Sequence, residues 1–138
     1  MSVFSNSAVV QIAAQVATVL FVVSIALQLL LAAGILPISM AWGGRQLVLT
    51  TSLRIASLAA AVLLGLFLVV IRRRVGLIGD MPIPMIIKVL SWVITVFLAF
   101  NTLGNIASSS TGEKLLFGPI SFLLTVACFV VSASQLET

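Results

Sequence analysis

Four stretches of this chain, residues 8–33, 47–71, 84–106 and 111–134, are long and apolar enough to cross a bilayer. A membrane-spanning helix needs about 20 mostly apolar residues. The core of the second stretch, residues 55–71, carries no charge, and as a helix it is about 25 Å long. Four such spans leave only short loops in a chain of 138 residues. The runs are continuous rather than alternating, which argues against a membrane β-barrel. With 62% hydrophobic and 7% charged residues, the chain cannot cover a water-facing surface, since a soluble domain carries roughly 25% charge. The expected fold is all-α: one transmembrane domain, a membrane-spanning four-helix bundle in up-down-up-down order with tight loops.

Local signals place the ends of the spans. Gly34 and Pro37 stop the first helix. In the following loop, residues 35–46, Trp42 suits an interfacial anchor. Arg72, Arg73 and Arg74 end the second span. Asp80 is placed to cap the third, with Pro82 and Pro84 in its first turn. Ser110-Thr111-Gly112-Glu113 has capping-box spacing, and Gly118-Pro119 should bend the fourth span. Residues 16–31 followed by Ala32-Ala33-Gly34 resemble a secretory signal, but no basic residue precedes them. A retained first helix is therefore expected.

Charge suggests an orientation. Loop two and both termini share one side, which holds Arg72, Arg73, Arg74 and Lys88; the other holds Arg45, Arg54 and Lys114. The arginine cluster places both termini in the cytoplasm by the positive-inside rule, in the inner membrane of a prokaryote. The net charge of +4 comes from few basic residues separated by spans. It fits membrane lipid headgroups and not nucleic acid.

The residue inventory restricts the chemistry. Histidine is absent, Cys128 is the one cysteine, and Asp80, Glu113 and Glu137 are the carboxylates. That inventory assembles no metal site, no nucleophile–base pair and no phosphate loop, so neither an enzyme nor a bound cofactor is expected. Proton-coupled transport calls for an acidic residue within a span. Its absence separates this chain from the small multidrug-resistance transporters, which are similar in size. Glu113 reads as a helix cap and Cys128 as a packing residue.

Polar residues inside the spans form stripes at helical spacing. One holds Lys88, Ser91, Thr95, Thr102 and Asn105, with Asn101 at its edge; another holds Ser121, Thr125, Cys128 and Ser132. Arg54, Ser57, Ala61 and Gly65 share a face of the second span. Small and hydroxylated residues serve close helix packing. Beyond packing, Gln28, Arg54, Asn101 and Asn105 fall in the leaflet next to loops one and three, near Arg45 and Glu113. Arg54 is expected to point into the bundle, where a guanidinium needs an acceptor. Together these suggest a ligand-binding pocket of Arg54, Asn101, Asn105, Gln28 and Arg45 that holds a polar or anionic group. Two roles follow: transport or ligand and lipid binding through that pocket, or an accessory scaffold whose small-residue stripes dock partner helices. A lipid-directed enzyme is a weaker third. The expected partners are membrane lipids, and a homo-oligomer or a partner membrane subunit.

The segment from Gly34 through Ala41-Trp42-Gly43-Gly44-Arg45, then Arg54, Phe100-Asn101-Thr102-Leu103-Gly104-Asn105, Glu113-Lys114 and Gly118-Pro119 resembles a family of small prokaryotic four-helix integral membrane proteins. The resemblance covers roughly spans two to four. In that family the first loop often reads Gly-Ala-Pro-Trp-Gly before Ala-Trp-Gly-Gly, whereas Leu36, Pro37 and Ile38 stand here, so loop one matches in part. The resemblance implies a four-span bundle with both motifs on one side, and it brings no activity with it.

Overall fold

The computed structural model describes residues 6–45, 47–80 and 82–135; Glu137 lies outside them. Four helices make up the fold: α1 (Ser7–Ala33), α2 (Thr51–Arg74), α3 (Met85–Ala107) and α4 (Gly118–Ser132). Each is long and apolar enough to cross a membrane, α4 together with the turn that leads into it. No strand occurs among the described residues. The chain is an all-α, multi-pass membrane bundle.

Side-chain contacts fix the antiparallel order. Arg54 at the start of α2 reaches Ala32 at the end of α1, and Arg72 at the end of α2 reaches Thr18 in α1. Asn105 near the end of α3 meets Ser121 near the start of α4. Helix α1 packs against both α2 and α4, and α3 packs against α4. The core runs along α1 and α4 through Phe21, Leu124, Cys128 and Val131, all buried. Contact between α2 and α3 is sparser. It includes an edge-to-face pair of Phe67 and Phe97, with ring centroids 5.4 Å apart.

Capping explains where the helices begin and end. Asn6 Oδ1 accepts the Ala8 and Val9 amides at 3.0 and 3.3 Å, satisfying donors that have no partner within the first turn. At the other end of α1, Gly34 takes the left-handed conformation (φ 81°), and the Ile35 amide returns to Leu30 O. Helix α2 starts at Thr51, later than the apolar run beginning at residue 47 suggests, because Thr50 Oγ1 caps the Leu53 amide at 3.2 Å. It also continues through the arginines to Arg74. Asp80 does not cap α3. Its carbonyl is held by the Arg73 guanidinium, and Pro84 occupies the cap position. A residue preceding proline disfavours helical backbone, so Ile83 keeps the helix from starting nearer Asp80.

The bend expected at Gly118-Pro119 is a π turn, Glu113–Phe117, closed by the Gly118 amide on Glu113 O. Proline lacks an amide hydrogen, and its ring collides with the carbonyl four residues back. A wider turn before Pro119 relieves that collision.

Candidate functional site

The polar stripes of α3 and α4 face one another. Thr95 and Ser132 hydroxyls lie 3.0 Å apart, and those of Thr102 and Thr125 lie 3.3 Å apart. At the end near loops one and three, the Nδ2 atoms of Asn101 and Asn105 both donate to Ser121 Oγ, at 2.9 and 3.0 Å. Each bond gives a polar side chain within a span a partner on the facing helix.

Loops one and three are built into a single unit above this ladder. Residues 42–44 all have positive φ, including Trp42 at 54°, a backbone rarely adopted by a bulky residue. Tertiary bonds hold it there: Trp42 Nε1 donates to Ser57 Oγ at 3.1 Å, and the Gly43 amide donates to Glu113 Oε1 at 3.0 Å. Ser109 Oγ donates to Gly43 O and Ser110 Oγ donates to Ser39 O. The capping box closes on one side only. Ser110 Oγ accepts the Glu113 amide at 3.3 Å, but the Ser110 amide turns to Ser108 Oγ, and the glutamate reaches across to loop one.

Between α2 and α3, under this unit, lies a cavity of about 380 Å³. Helix α2 faces it with Ala56, Ala59 and Ala60, whose short side chains leave the space open. Its end farther from the loops is apolar, with Leu64, Phe97 and Leu98. The mouth is polar: Gln28, Asn101, Asn105 and Glu113 stand beside the Trp42 indole. A more open groove of about 580 Å³ adjoins it over α3, past Phe100, Gly104 and Ser108. Volumes of this size suit small-molecule sites, about 300–1,000 Å³. Gln28 Oε1 is buried with no hydrogen-bond partner among the described residues.

The structure thus brings together three of the five residues expected from sequence, Gln28, Asn101 and Asn105, and separates the two arginines from them. Arg54 is exposed and does not point among the amides; its guanidinium donates to Ala32 O at 3.1 Å. The physical reason is the antiparallel pairing. The first turn of α2 lies beside the last turn of α1, whose carbonyls lack internal partners and carry negative partial charge. Arg45 is exposed in loop one, outside both concavities. Of the cavity's lining residues with polar side-chain atoms, two stand outside the expected set: Trp42, which the sequence offers as an interfacial anchor, and Glu113, which it offers as a cap near the amides in depth. For Glu113 a signal existed, since it is the one carboxylate of three placed at the same end as loop one.

Comparison of the chain with family models, curated proteins and solved structures finds no match. What defines the molecule is its own geometry: a four-span membrane bundle with a cavity that is polar at one end and apolar at the other.

Proposed function

We propose that this protein binds an amphiphilic molecule, a lipid or a lipid-like compound, in the cavity between α2 and α3. One observation carries the reading. The cavity is polar beside the loops, at Trp42, Asn101, Asn105 and Glu113, and apolar farther along the helices, at Leu64, Phe97 and Leu98, which matches a head group joined to an alkyl chain. Binding is favoured over transport because Ser91 and Thr95 do not extend the cavity toward Lys88. Both are buried, and Thr95 is bonded to Ser132. It is favoured over a scaffold because most of the small residues suited to docking, Ser57, Ala61, Ser121, Cys128 and Ser132, are buried within the bundle, with Gly65 and Thr125 half-buried. The role is non-enzymatic, and the setting is the inner membrane of a prokaryote with both termini in the cytoplasm. Kinship with the small prokaryotic four-helix membrane proteins that it resembles accords with this reading.

The test uses bromine quenching of Trp42 fluorescence in a Trp92→Phe background, which leaves Trp42 as the only indole. Brominated alkyl chains bearing neutral, anionic or cationic heads are titrated into the protein in nanodiscs. A saturable component is expected with at least one head type, and Ala60→Leu, which fills the cavity, removes it. Quenching that rises without saturation for every head, or saturation untouched by Ala60→Leu, overturns the proposal.

A further inference from the structure

The cavity's own charge and hydrogen-bond polarity indicate which head group it takes. Glu113 is 9% exposed, and its carboxylate lines the mouth. One oxygen accepts the Gly43 amide, and no ion pair engages the group among the described residues. Arg45 and Lys114, the cations nearest in sequence on loops one and three, are both exposed. An enclosed carboxylate without a cation is costly in a low-dielectric setting. The amides add to the same polarity. Asn101 and Asn105 turn their nitrogens to Ser121, and their oxygens have no partner among the described residues. Gln28 Oε1 is likewise buried without one. The lining therefore includes one carboxylate and three amide side chains whose oxygens are unengaged among the described residues, beside the Trp42 indole, a ring type that attracts cations.

We infer that the cavity selects an amphiphile with an ammonium head, its nitrogen held by the Glu113 carboxylate and the amide oxygens and its alkyl chain lying between α2 and α3. The inference rests on the proposed amphiphile binding and specifies its ligand class. It reverses the anionic preference that Arg54 and Arg45 suggest in the sequence. The shared chemistry is an ammonium group on an amphiphile, supplied either by an ethanolamine phospholipid of the bilayer, in which a phosphodiester separates it from the acyl chains, or by a free long-chain amine.

The same quenching assay reads the preference. A brominated alkylamine should saturate at concentrations at least about tenfold lower than the matching alkyl phosphate or maltoside. Glu113→Gln keeps an acceptor for the Gly43 amide and should bring the amine to parity with the maltoside. Displacement of the bromoamine by ethanolamine phospholipid in the nanodisc identifies a bilayer lipid. Displacement by dodecylamine alone identifies a free amine, and either result supports the inference. Saturable binding with no head-group preference, or with the phosphate preferred, overturns the inference while amphiphile binding stands. Absence of saturable quenching with any head overturns both. The wild-type ranking decides the matter even if Glu113→Gln fails to fold.

Discussion

Gly44→Ala should be the most damaging small change in loop one, and a control separates its causes. Gly44 has φ 75°, and a Cβ built on it would lie 2.7 Å from Ser110 Cβ and 2.9 Å from Ser110 Cα. Neither atom is the free end of a flexible side chain, so loop three itself must shift. The left-handed backbone costs an alanine about 1–2 kcal/mol, and forcing an extra carbon into a packed site costs about 1–3 kcal/mol more, for a total of about 2–5 kcal/mol. Gly43→Ala supplies the control. Its φ is 83°, but a Cβ there meets nothing within 4 Å, so only the backbone component of about 1–2 kcal/mol applies. Both variants keep their amide hydrogens. Unfolding in mixed micelles with rising dodecyl sulfate, followed by circular dichroism, gives the two losses on one scale. If Gly44→Ala and Gly43→Ala fall within about 0.5 kcal/mol of each other, less than the least overpacking cost, the close approach of loops one and three is refuted.

Two further variants test the parts on either side of the cavity. Ser121→Ala removes the acceptor shared by Asn101 and Asn105 and should cost about 1–2 kcal/mol in the same titration, since interhelical hydrogen bonds within membranes are individually modest; a loss indistinguishable from zero would mean that the amides find other partners. Arg54→Ala removes the donor to Ala32 O and should cost only about 0.3–1 kcal/mol, the worth of an exposed cation at a helix C-terminus. It should leave the saturable Trp42 quenching intact, and loss of that signal would place the guanidinium at the ligand.

How far the sequence could be read depended on whether a residue's role was local. Span lengths are local, and so are the stripes: Thr95, Thr102 and Asn105 recur at helical spacing on α3, as do Ser121, Thr125 and Ser132 on α4. Their pairing across the interface follows once both stripes must leave lipid. Depth is local too, which is why Gln28, Asn101 and Asn105 were legible as members of one layer. The direction of Arg54 was not, because it depends on which neighbouring helix offers an acceptor, and the carbonyl that holds it belongs to α1. Asp80 has the residue type of a cap, but Pro82 and Pro84 displace the helix start beyond its reach. Glu113 is the instructive case. Its spacing from Ser110 satisfies the capping-box pattern, and half of that box forms. The other half is lost to a donor 70 residues away in sequence.

That exchange explains how a chain with so few charges comes to hold a carboxylate at the cavity mouth. Pro119 prevents a regular turn before α4, and the π turn that replaces it begins at Glu113. A widened turn alters which side of the helix its first residues face. Meanwhile the positive-φ run at residues 42–44 turns the Gly43 amide toward loop three. One charge-assisted hydrogen bond then joins the two loops, and it engages only one of the two carboxylate oxygens. Each departure from regular backbone therefore serves the same end. With the Ser110 amide held by Ser108 Oγ, Glu113 is left to reach loop one, and the glycines let loop one approach closely enough to offer it a donor. The alanines of α2 leave room beneath that junction, so the carboxylate borders a cavity where a bulkier helix face would have packed against α3.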